Sequence, residues 1–283
     1  MRLPRTLCHP DGSKSCGACC GMYNHAQAGE QQTLSRLSRR TLAYRQDADI
    51  RDASSLAAFR ARWEDAPSSK LLDGLPSCPF LGLLDVSTAA DDPASSRVGC
   101  LVHPLQNDGV DGRDCGVYDR FVCEDYLCAS HDLMRAEEIR LVLEATRDSY
   151  LYGLIITDVR LVRALLDGAA RLCGRAARPA DLARPAAVTA AAAFFELRRD
   201  WPYAASDASF GQVVPLSGLN TRRRPDPAQA LGAQPDPLTD AALVCLGTHA
   251  PDLDTLEAAR ALVRDRISAF AQAVDLQPAD RHA

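Results

Sequence analysis

Three thiols within five residues, in the run Cys16-Gly17-Ala18-Cys19-Cys20-Gly21, constrain this chain more than any other feature. Adjacent Cys19 and Cys20 must point in different directions. One stretch of backbone therefore cannot supply four tetrahedral ligands, and sulfurs from distant segments have to converge if a metal is held there. Nine of the eleven cysteines lie between Cys8 and Cys128, and beyond them only Cys173 and Cys245 occur. Cysteines used merely as small core hydrophobes would scatter over both halves. The partners for the run are Cys78, Cys100, Cys115, Cys123 and Cys128. Gly17 and Gly21 flank it, and glycine at positive φ lets backbone amides turn toward the sulfurs and ease their negative charge.

Bulk properties decide how these thiols are read. The start, MRLPRTLCHP, has no apolar run before Cys8, so neither a secretory nor a lipoprotein signal is expected. The longest apolar run, Pro185 to Phe195, is mostly alanine and too short for a bilayer, which needs roughly 20 residues. A cytoplasmic location and no membrane partner are therefore expected. In a reducing compartment disulfides are disfavoured, which leaves metal ligation, redox chemistry or burial. A net charge of -5 and a pI near 5.7 provide no basic field, so no nucleic-acid partner is expected. No glycine-rich nucleotide fingerprint and no Ser-His-Asp spacing is present.

Other residues have two readings each. Cys8 follows a chain terminus and is either a ligand or a surface thiol. Cys173 and Cys245 fall on apolar helix faces and read as core. Among His9, His25, His103 and His131, all near cysteines, His103 is the best ligand candidate, although each also suits a polar loop. Asp114, Asp119, Glu124 and Asp125 interleave with the last cysteines as outer acceptors or solvated charges. Arg113 and Arg120 are placed to offset thiolate charge. Arg222, Arg223 and Arg224 read as a solvated loop.

The expected architecture is mainly α: an irregular cysteine-rich metal-binding module with a small β-hairpin at residues 1–130, followed by an α-helical region at 131–283. Leu34, Leu37, Leu42 and Tyr44 mark a helix from about Glu30 to Gln46, and a second runs from Ser54 to Trp63. Phe80 to Val86 and Arg97 to Val102 read as the hairpin arms. From His131 the chain changes to long amphipathic helices, the first carrying Ile139, Val142, Leu143 and Tyr150. Val159 to Cys173, Pro185 to Arg199, Leu238 to Leu246 and Leu253 to Val274 follow. A Pro- and Arg-rich connector at about 204–237 is expected to be an extended surface loop.

The order CGACC at 16–20, CPFL at 78–81, CLVHP at 100–104 and CGVYDRFVCEDYLC at 115–128 resembles the CxxCxxCC-type, or YkgJ-like, cysteine-cluster family, described as zinc- or iron-chelating. The resemblance spans about Cys8 to Cys128. Ser13 stands where the family has its leading cysteine, His103 where it usually has tyrosine, and an extra loop carries Cys115. The resemblance implies metal chelation. In one branch, the flagellin lysine N-methylases, a related cluster accompanies methyl transfer onto protein lysines.

The expected ligand set is Cys16, Cys19, Cys20, Cys78, Cys100, Cys115, Cys123 and Cys128, enough for two four-coordinate sites or for one cluster plus further thiols. An all-cysteine set suits zinc or a 4Fe-4S iron-sulfur cluster, and thiols drawn from many short segments favour the larger inorganic core. Three functional readings follow. The first is a metal- or cluster-binding protein whose helical half docks a protein partner or substrate protein. The second is a cluster-dependent enzyme, for redox or methyl transfer. The third is a purely structural metal site.

Overall fold

The computed structural model describes residues 6–275. It is mainly helical, with two small two-stranded sheets. The chain divides into two compact units. One takes the described chain up to Asp132 together with 147–157 and 215–222; the other takes 133–146, 158–214 and the residues from 223 on.

In the first unit, α1 (Glu30–Asp47) buries Leu34, Leu37, Thr41 and Tyr44 along one face, a spacing of three and four that matches the helical period. Asp52 caps α2 (Ala53–Trp63) by accepting from the Ser54 amide, and α2 buries Leu56 and Phe59. Strands β1 (Leu81–Leu83) and β2 (Val98–Cys100) pair antiparallel, with Leu81 opposite Cys100 and Leu83 opposite Val98. The Leu83 amide donates to Thr41 Oγ1 at 2.8 Å, which ties the hairpin to α1. Two apolar clusters result. Met22, Leu37, Leu81, Val98 and Tyr150 belong to one, and Tyr44, Phe59, Phe80 and Leu101 to the other. Two short helices follow, α3 (Arg120–Asp125), capped by Asp119, and α4 (Ser130–Leu133).

The amphipathic helix expected to run on from His131 through Tyr150 is interrupted. Helix α5 (Ala136–Ala145) stops at Thr146, a β-branched residue with extended backbone, and α6 (Ser149–Ile156) starts afresh. Asp148 caps α6 by accepting from the Leu151 amide, an alternative to continuing the helix. All of α6 is buried, and it belongs to the first unit. Tyr152 Oη donates to the Leu7 carbonyl at 2.8 Å, and Tyr23 Oη donates to the Tyr150 carbonyl at 2.7 Å.

The second unit holds α5, α7 (Val159–Cys173), α8 (Pro179–Leu182), α9 (Pro185–Phe195), α10 (Pro227–Ala230), α11 (Asp240–Cys245) and α12 (Leu253–Asp275). Helix α12 packs on α7 and α9 and buries Leu256, Val263, Ile267 and Phe270. The connector is more structured than an extended loop. It contains strands β3 (Val213–Pro215) and β4 (Thr221–Arg223) as well as α10. Arg224 is 6% exposed, with Nη2 at 2.7 Å from Asp207 Oδ1 and Nε donating to the Gly211 carbonyl at 2.6 Å. Its planar fork satisfies turn carbonyls from inside, so the arginine run is not uniformly solvated.

Gly21 has φ of +86°, and a Cβ there would lie 2.7 Å from Ser77 Cα. Gly21→Ala should therefore lower stability by roughly 1–3 kcal/mol, whereas Gly12→Ala, with nothing within 4 Å of the added carbon, should change it by less than about 0.5 kcal/mol. Thermal unfolding of both variants checks this, and equal shifts would remove the conformational argument.

Candidate metal centre

Backbone hydrogen bonds bring the cysteine segments together before any thiol chemistry is considered. The Cys16 amide donates to the Cys8 carbonyl at 2.8 Å, and the Cys78 amide donates to the Cys20 carbonyl at 2.9 Å. Turns fold the 16–21 run tightly, with the Cys20 and Met22 amides both donating to the Gly17 carbonyl. The hairpin sets Cys100 opposite Leu81, three residues beyond Cys78. Cys123 lies on α3, and Cys128 lies two residues before α4. None of the eleven cysteines is in a disulfide.

The thiols separate into two groups. In the first, Cys19 and Cys128 share a hydrogen bond, and Cys8 and Cys16 lie within electrostatic reach of Cys128. Cys128 is drawn down to about 5, first because the Cys19 thiol donates to it and further because His131 and Ser130 do; Cys19 is pushed up as the partner that keeps the proton. Burial raises Cys16 to about 12, with Cys8 and Cys128 adding to it. The His131 ring completes this group. Its Nε2 accepts from the Leu7 amide at 3.0 Å, so a neutral ring carries its proton on Nδ1, which lies 3.2 Å from the Cys128 carbonyl and 3.6 Å from Cys128 Sγ.

The second group is Cys20, Cys78, Cys100 and Cys123. Burial pushes Cys20 well above the usual thiol range, and Cys78, Cys100 and Cys123 push it further. Cys100 rises to about 12 by burial and by the nearness of Cys78, and Cys123 rises for the same two reasons. The Arg113 guanidinium opposes both rises. It is held by Asp111 at 2.7 Å, so one of the two arginines expected to offset thiolate charge does so. Arg120 instead lies over the Phe121 ring and near Asp114.

Adjacent Cys19 and Cys20 thus have different leading partners, although Cys19 feels Cys20, Cys20 feels Cys16, and Tyr118 feels Cys20, Cys78, Cys19 and Cys123. Cys115 packs on the second apolar cluster, as Cys78 and Cys100 do, and lines a shallow depression with Ala57, Arg60 and Glu64. Among the described residues, no three His, Cys, Asp or Glu side chains close tightly enough to clasp a single metal ion.

Several candidates lie elsewhere. His103, favoured among the histidines, accepts from the Leu105 amide through Nδ1 at 3.1 Å and caps a short turn; His131 is the one beside a thiol. The spacing Cys128-x-x-His131 was the available signal. His25 lies 3.8 Å from Asp65 and is lowered to about 4, chiefly by burial. Cys245 is 2% exposed, but Cys173 is only half-buried and donates to the Ala271 carbonyl, so just one of the two is full core. Large exposed apolar side chains gather beside Cys123 and Cys128, with Phe121 63% and Tyr126 56% exposed.

In metal-free protein at neutral pH, iodoacetamide should modify Cys128 before Cys16, Cys20 or Cys245, because only the thiolate is nucleophilic. Peptide mapping over time tests this, and equal rates at all four positions would contradict the shared-proton geometry. Comparison with protein-family models, with curated proteins and with solved structures finds no match for this chain.

Proposed function

We propose that this chain is a metal-binding protein with two four-thiolate sites, one from Cys8, Cys16, Cys19 and Cys128, the other from Cys20, Cys78, Cys100 and Cys123. The observation that carries the reading is that Cys19 shares a proton with Cys128, whereas Cys20, whose carbonyl accepts from the Cys78 amide, is pressed mainly by Cys78, Cys100 and Cys123. Eight partly or fully desolvated thiols gathered from five segments gain nothing from one another as neutral groups. As thiolates they repel, and a bound cation or cationic cluster turns that repulsion into binding energy that also stabilises the fold.

The donor set is sulfur-rich and suits zinc or iron-sulfur chemistry. A tetrahedral zinc site with Zn-S bonds near 2.3 Å draws its sulfurs to about 3.8 Å apart. Thiols drawn from five short segments favour the larger 4Fe-4S core over a compact zinc ribbon. A bound iron-sulfur group supplies one-electron transfer. The chain's own contributions are the Nδ1 proton of His131 aimed at Cys128, and the Arg113 charge near Cys100 and Cys123. Both stabilise thiolate over thiol and so ease ligation.

Anaerobic purification followed by iron, sulfide and zinc analysis and visible absorption tests the proposal. Two clusters or two zinc ions per chain are expected. Cys8→Ser and Cys20→Ser should each remove about half of the metal, while Cys115→Ser should leave it unchanged. A folded, metal-free protein would overturn the proposal, as would Cys8→Ser and Cys20→Ser variants that both keep full metal content.

A further inference from the structure

The second unit contains a cleft of about 720 Å³ that has no connection to the cysteine chemistry. One wall is a single face of α7, where Arg160, Arg163, Asp167 and Arg171 recur at helical spacing. The segment Arg223 to Asp226 lines it as well, together with the small residues Ala164 and Ala241. Five arginines therefore line one concavity, against Asp167, Asp226 and Asp240.

Most of these charges are already committed. Arg163 lies 3.3 Å from Glu138, Arg224 is paired with Asp207, and Asp240 is bound by both Nε and Nη2 of Arg260 at 2.8 Å. Asp226 accepts from the Ala228 amide at the start of α10. That leaves Arg160, Arg171 and Arg223, all exposed, with no side-chain hydrogen bond or ion pair among the described residues; Arg160 also offsets the charge of buried Asp158, and Asp167 acts on Arg135 at longer range. Arg171 and Arg223 have no acidic partner among the described residues. They are arranged as a receptor for negative charge.

We propose that this cleft binds a phosphate-bearing small molecule, held by Arg160, Arg171 and Arg223. Guanidinium forks match phosphate oxygens in pairs. A phosphate presents oxygens in several directions and can be met by several forks at once, whereas a carboxylate offers one planar edge to one fork. The volume lies in the range of small-molecule sites, about 300–1,000 Å³. The acidic net charge of the chain argues against a nucleic-acid polymer, which needs an extended basic track.

The test is calorimetric titration of the full-length, metal-loaded protein with inorganic pyrophosphate, and separately with citrate. Pyrophosphate should bind saturably, with Kd below about 1 mM. Arg160→Ala, Arg171→Ala and Arg223→Ala should each weaken it by roughly 10-fold, the loss of one charge-assisted hydrogen bond, and Asp167→Ala should tighten it. Arg222→Ala, a change in the same run but outside the cleft lining, should have no effect. Because Arg171 and Arg223 are exposed and without an acidic partner, their variants should melt with the wild-type protein, so weakened binding in these two is not misfolding. Absence of saturable pyrophosphate binding overturns the proposal, as does an equal loss in Arg222→Ala or citrate binding as tight as pyrophosphate. Metal content plays no part in the readout, so this proposal and the thiolate one fail independently.

Discussion

Withdrawing thiols from water beside one another is the constraint on which the first unit depends. A buried thiolate is costly, and several close together are more so, unless a proton is shared or a positive charge intervenes. Cys19 and Cys128 use the shared proton, assisted by the His131 ring, whereas Cys100 and Cys123 are served by Arg113. Where neither device reaches, as at Cys20, the thiol is held firmly protonated. The arrangement thus tolerates little free negative charge at these positions.

The apolar packing exists to hold this arrangement in register. Cys78 touches both hydrophobic clusters of the unit, so any change in either one moves its sulfur. Arg40, almost fully enclosed on α1, donates to the Cys78 carbonyl at 3.0 Å and lies 3.4 Å from Asp65. A buried arginine fixing the backbone of a candidate ligand is a costly device, since removing its acidic partner leaves an uncompensated charge. Stacking of Phe59 on Phe80 and the edge contact of Tyr44 with both rings make a rigid backing for the hairpin.

Much of this was legible in the residues, and the exceptions have physical causes. The period of Leu34, Leu37 and Tyr44 revealed α1, and alternating apolar residues around a Ser- and Asp-rich tip revealed the hairpin. The break between α5 and α6 was missed because the apolar spacing continues across it, while the deciding signal is the single cap at Asp148. Arg224 looked like surface because a triple arginine run usually is; only the fold brings Asp207 and the Gly211 carbonyl within its reach. The preference for His103 followed adjacency to Cys100, but that ring is spent on capping a turn. Joining Cys8 to the other thiols required knowing that its carbonyl accepts from the Cys16 amide, which composition does not encode.

The excursion of α6 and of residues 215–222 into the first unit sets an order of events during synthesis. Every clustered sulfur is synthesised before the segment bearing Tyr150 and Tyr152, and well before residues 215–222. The nascent thiols therefore wait exposed, without the buried tyrosines that anchor Leu7 and Tyr23. Early capture of an inorganic partner would shield them from oxidation and mispairing during that interval.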